Sequence, residues 1–93
     1  MASTITFTAG TTTTVTSFTL AGTTGNLVTI NSTVPGTQFT LYKDSGTVNA
    51  SYLQIQDSNA TGNVVWNALD GTNTNLGNNT GWNWVGGAFM AFF

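Results

Sequence analysis

Four side chains in this 93-residue chain carry charge at neutral pH: Lys43, Asp44, Asp57 and Asp70. They are 4% of the residues, against about 25% in an ordinary soluble domain. The chain holds no Cys, His, Glu or Arg, which removes disulfides, thiolate metal sites and histidine acid–base chemistry together. A single lysine cannot displace the counterions whose release drives duplex binding. The expectation is a non-enzyme with no cofactor and no nucleic-acid partner. Asp70 with Asn73 and Asn75 is the nearest approach to a cation site, but Ca²⁺ takes six to eight oxygens. One carboxylate supplies too little charge, so Asp70-Gly71 reads as a capped turn.

The remaining candidates bind rather than react. Trp82 and Trp84 are two apart, so on a strand they share a face. Such a pair can stack a sugar, or cap a core or subunit contact, and the second reading is preferred. Thr4, Thr6 and Thr8, then Thr12, Thr14 and Thr16, form two Thr-x-Thr-x-Thr runs. A flat threonine array can meet ice, but Thr29, Thr37 and Thr40 do not continue the ranks, so a plain strand face is expected. The strongest signal is the apolar tail, with Phe89, Met90, Phe92 and Phe93 within five residues. Burying four such side chains is worth about 6–12 kcal/mol gross. The tail therefore folds back on its own core or packs on a sister subunit or a shell protein. We expect the second, with Trp82, Trp84, Val85, Phe89, Met90, Phe92 and Phe93 as the assembly interface.

These residues need a scaffold, and the composition says which kind. Thr is 20 of the 93 residues, Asn 11 and Gly 11. Leu, Ile, Val and Phe still make up 22 of 93, above the roughly 20% typical of disordered chains. A net charge of −2 gives little self-repulsion to hold the chain open. The length suits one domain, spanning residues 1–84 and followed by the tail, residues 85–93.

Strand formers dominate and no helical periodicity is present. Ile5, Phe7 and Ala9 alternate with Thr4, Thr6 and Thr8. Further strands are expected over Thr13–Leu20, Leu27–Asn31, Gln38–Tyr42, Val48–Gln56 and Val64–Ala68. Pro35-Gly36, Asp57-Ser58-Asn59 and Asp70-Gly71 supply turns, and Thr72–Thr80 reads as a loop. Ala9-Gly10-Thr11-Thr12 recurs at Ala21-Gly22-Thr23-Thr24, and Phe18-Thr19-Leu20 at Phe39-Thr40-Leu41. The expected fold is all-β, a short β-solenoid or β-helix-like domain, with a compact β-sandwich as the alternative.

The stretch Tyr52-Leu53-Gln54-Ile55-Gln56-Asp57-Ser58-Asn59-Ala60-Thr61-Gly62, followed by Val65-Trp66-Asn67-Ala68 and Asn79-Thr80-Gly81-Trp82, resembles a recurrent β-rich module. That module occurs in bacteriophage structural proteins and bacterial surface proteins. Ile5-Thr6-Phe7, Gly25-Asn26-Leu27-Val28-Thr29-Ile30, Gly36-Thr37-Gln38-Phe39-Thr40-Leu41 and Ser45-Gly46-Thr47-Val48 extend the resemblance over most of residues 5–82. It implies a β-helix-like fold and a structural or adhesive role, and it brings no catalytic residues. The chain departs from the pattern by standing as a short reading frame and by adding Trp84 and the tail.

Those departures lead us to expect a capsid decoration or cement protein of a phage virion. The expected partners are further copies of itself, as a homotrimer, and the major capsid or another virion protein. Met1-Ala2-Ser3-Thr4 lacks a basic, then apolar, leader, so we expect no signal peptide, synthesis in the host cytoplasm and release within the virion. No apolar run approaches the roughly 20 residues of a membrane-spanning helix, and no membrane partner is expected. A saccharide-binding tip module of a tail fibre or surface adhesin is the main alternative. A self-assembling extracellular β-fibre subunit is the third.

Overall fold

The computed structural model describes residues 3–84. The described residues are all-β and contain no helix. The strands are β1 (Ser3–Phe7), β2 (Thr12–Thr14), β3 (Val28–Ser32), β4 (Phe39–Lys43) and β5 (Thr47–Asn49). They continue as β6 (Leu53–Gln56), β7 (Ser58–Gly62), β8 (Val65–Ala68), β9 (Thr74–Gly77) and β10 (Trp82–Trp84). Three sheets result, in the orders β1-β3-β6-β9, β2-β4-β7 and β10-β8-β5. Every strand pair in them is parallel.

From β3 to β8 the chain visits the three sheets in rotation, whereas β2 is followed directly by β3 of the first sheet and β9 directly by β10 of the third. Each strand after the first in its sheet pairs with the one laid down there before it. In the first sheet the return takes 25 residues, as Thr6 meets Asn31 and Thr29 meets Gln54. Later it shortens to 20, where the Leu53 amide donates to Asn73. The Phe18/Phe39 echo in the sequence is not this register, because β4 pairs with Thr12–Thr14. Phe18 instead sets its ring edge against Trp66 and Trp82, at centroid distances of 5.6 and 6.1 Å.

Inward residues of successive passes stack on one another. Ile5, Ile30 and Ile55 align in the first sheet, and Val48, Trp66 and Trp82 in the third. Phe39, Leu41 and Leu53 complete the fully buried core, and Phe7 stacks on Phe39 at 4.6 Å. Fully burying each such side chain stabilises the fold by roughly 1.5–3 kcal/mol. Ile5 begins its stack on an edge strand and remains 37% exposed.

Several expected boundaries shift. The strand expected over Thr13–Leu20 contracts to Thr12–Thr14. Val48–Gln56 divides into β5 and β6, because Tyr52 turns the corner with φ at 56°. Asp57, with φ at 59°, is the whole of the next turn, and Ser58 already starts β7. The expected loop over Thr72–Thr80 contains β9.

Corners are tight, and two glycines are needed there. A Cβ on Gly62 would lie 1.9 Å from the Lys43 carbonyl oxygen, and one on Gly81 equally close to that of Ala60. Both glycines also hold positive φ, at 112° and 82°. Gly81→Ala combines a backbone clash with left-handed strain, so a loss of about 2–4 kcal/mol is expected. Urea denaturation checks it; an unchanged midpoint would mean that the corner relaxes freely.

Candidate functional site

The outward surface follows from the same stacking. Where parallel strands align like with like, polar side chains of neighbouring passes reach each other. Asn83 donates to Asn67 at 3.1 Å, and Asn67 donates to Asn49 at 3.3 Å. Thr80 donates to Asn59 at 2.7 Å, Thr29 to Gln54 at 3.0 Å, and Thr6 to Asn31 at 2.8 Å. Ladders of this kind satisfy amides and hydroxyls without charge. The sequence signal for the asparagine ladder is an apolar residue followed by Asn, at Val48-Asn49, Trp66-Asn67 and Trp82-Asn83.

Charges stand at corners and strand ends. Lys43 closes β4 and its ammonium donates to the Ser45 carbonyl. Asp44 follows at the same corner, near the Tyr42 hydroxyl. Asp57 is buried, accepting from the Gly36 amide at 3.1 Å and from the Asn78 side chain at 2.7 Å. Asp70 lies at the corner leading from β8 towards β9.

Asp70 is the most heavily bonded carboxylate. Its Oδ2 accepts from the Ser51 hydroxyl. Its Oδ1 accepts from the Thr72 hydroxyl at 2.6 Å, the Thr72 amide at 3.0 Å and Asn73 Nδ2 at 3.1 Å. The Ser51 bond first, and the Thr72 bonds next, lower its pKa below the ordinary 3.8. A depressed folded-state pKa contributes stability above the unfolded value, and that contribution is lost as pH falls through the folded one. Asp70 is therefore expected to titrate below 3.8 in an NMR titration of its carboxyl carbon. In Ser51→Ala the midpoint should rise; an unmoved midpoint would remove Ser51 as the cause.

The sequence-derived candidates separate. Asp70 and Asn73 meet, but Asn73 offers its NH₂ to the carboxylate. Asn75 accepts from the Gly77 amide and Asn79. The three residues do not converge as oxygen ligands. Among the described residues no group of three His, Cys, Asp or Glu could hold a metal ion.

Trp82 and Trp84 do share one side, and it is the inner one. Trp82 is 7% exposed, set 5.2 Å from Trp66 with its Nε1 donating to the Ser58 hydroxyl at 3.0 Å. It has no open ring face to offer a sugar. Trp84 is partly buried and tilted against Trp82 at 6.4 Å. The other interface residues, Val85, Phe89, Met90, Phe92 and Phe93, lie outside the described residues.

The corner between the asparagine ladder and Asp70 contains a groove of about 340 Å³. Asn49, Ala50, Ser51, Asn67, Leu69 and Asp70 line it. Nothing in the sequence relates Asn49 and Ser51 to Asn67 and Leu69, because only the stacking of β5 on β8 makes them neighbours.

Fold and surface together define an all-β chain of parallel sheets whose outer ladders are uncharged. The chain matches no family model, no curated protein and no solved structure.

Proposed function

We propose that this chain is a structural subunit with a short β-solenoid fold, working as a decoration or cement protein of a phage virion. Support for the coiled fold comes from β3–β8, which pass twice through the three sheets in order, and from strand pairs that are all parallel. Sandwiches are built of antiparallel sheets. The observation that carries the functional reading is the outer surface. Its ladders are amide and hydroxyl rows bonded to one another, with charge confined to corners and strand ends. Interface cores are depleted in charge because ions are costly to desolvate, so such a surface docks at little electrostatic cost.

In this reading Trp84 and the tail Val85–Phe93 supply the apolar anchor, and Trp82 supports them from inside. The partners are two further copies of the chain and a shell protein, and the virion is the location. Light scattering on the purified chain over a dilution series tests it. A closed trimer that persists on dilution, and that binds empty shells, is the expected result. A monomer at every concentration would remove the reading. Open-ended polymers would replace it with a fibre subunit, the non-closing form of the same contact.

A further inference from the structure

We propose that the corner groove between β5, β8 and the Asp70 turn is a binding site for a neutral saccharide, one ring of which it is large enough to hold. Small-molecule sites have volumes of about 300–1,000 Å³ and combine apolar lining with a few fixed polar groups. At about 340 Å³ this groove stands at the small end of that range. Ala50 and Leu69 give the apolar part, and Leu69 is 49% exposed there. Asn49, Asn67, Ser51 and Asp70 give the polar part.

Donor and acceptor are both held in place. The asparagine ladder runs donor to acceptor from Asn83 through Asn67 to Asn49. Asn49 spends its carbonyl on that bond, and among the described residues its NH₂ has no acceptor. Aligned amides polarise one another, so the terminal NH₂ is a strengthened donor. In the same groove, Asp70 Oδ1 already has three donors, while Oδ2 receives only the Ser51 hydroxyl. One ordered acceptor position therefore remains.

A ligand that uses both must accept at one atom and donate at another, beside an aliphatic wall. The several hydroxyls of a sugar ring, each both donor and acceptor, do this. Ca²⁺ is a poor match, since one free carboxylate position is far from six to eight oxygens. An anion would face Asp70 with no cation beside it, and an ammonium group would leave the amide donors idle. The site uses neither Trp82 nor Trp84.

The test titrates the whole chain with glucose, galactose, mannose and N-acetylglucosamine, followed by amide NMR. Glucosamine and glucuronate are the charged counterparts. Saturable shifts confined to residues 49–51 and 67–70, and to the side-chain NH₂ signals of Asn49 and Asn67, are expected with at least one neutral sugar. Asn49→Ala, a change on an exposed strand end, should keep the circular dichroism spectrum and weaken that binding about tenfold. Absence of saturable shifts up to about 50 mM of all four neutral sugars would overturn the site. So would shifts centred on Trp84 that survive Asn49→Ala. Tighter binding of glucosamine than of glucose would overturn the neutral-ligand assignment.

Discussion

Trp66→Ala is expected to lower stability by about 3–5 kcal/mol, the usual cost of emptying a buried aromatic site. Trp66 is 2% exposed and stands in register between Val48 and Trp82. Its ring meets Phe18 edge-on at 5.6 Å and Trp82 at 5.2 Å, so the cavity would lie where the third sheet and the first pass of the chain touch. The indole Nε1 also donates to the Thr61 carbonyl at 3.0 Å, tying the β7–β8 corner down. A domain of this length has a stability of about 5–14 kcal/mol, so the substitution removes a large share of it. Urea denaturation followed by far-ultraviolet circular dichroism gives the size. Trp66→Phe keeps most of the packing and loses the hydrogen bond, and should cost about half as much. A loss below about 1 kcal/mol for Trp66→Ala would show that the aromatic stack is not what holds the sheets together.

That stack marks the boundary between what the sequence displays and what only the fold creates. The all-β class was legible because β-branched and aromatic residues alternate in runs such as Val28–Ser32 and Phe39–Lys43. These segments have inward apolar positions of their own, and their boundaries fell within a residue or so of expectation. β9 is different. Its sequence, Thr-Asn-Leu-Gly, has little strand preference, and its pairing comes from Gln54, Ile55 and Gln56 on the preceding pass. Asn73 and Asn79 secure it from either side, bonding the backbone of Ala50, Leu53, Ile55 and Ser58.

Turn chemistry misled in the opposite direction. Tyr52 is no ordinary turn residue, yet it occupies left-handed space, so Val48–Gln56 reads as one strand. Asp57-Ser58-Asn59 reads as a three-residue turn, although Asp57 alone makes it. Both errors have one cause, which is that bonds from the neighbouring pass fix the local backbone. The groove was hidden for the same reason. Its walls are 18 residues apart in sequence at Asn49 and Asn67, and nothing local relates them. The Trp82–Trp84 pairing was legible from its spacing, whereas the direction it faces was set by the stack beneath it.

Deleting Val85–Phe93 is expected to abolish assembly while the strand content of the remaining chain stays unchanged. The described residues already form three parallel sheets, and the buried side chains of Ile30, Phe39, Leu41, Val48, Leu53, Ile55 and Trp66 all belong to them. Their outer polar rows bond mainly to each other, so docking them on a partner adds few new hydrogen bonds. Apolar anchors must then supply most of the association energy, as a few buried aromatic residues do in other interfaces. Phe89, Met90, Phe92 and Phe93 together carry about 6–12 kcal/mol of gross burial. Realising even a quarter of that corresponds to roughly a tenfold to hundredfold change in association at each contact. Mass from light scattering and circular dichroism on the 1–84 chain measure the two quantities separately. Loss of the oligomer at constant strand signal is the expected pair of results. An oligomer that survives would transfer the interface to the sheet faces, where Asn83→Lys, placing a charge in the asparagine ladder, should then dissociate it. A collapse of strand signal would place the tail in the chain's own core, since removing an external contact cannot unfold a domain that is complete without it.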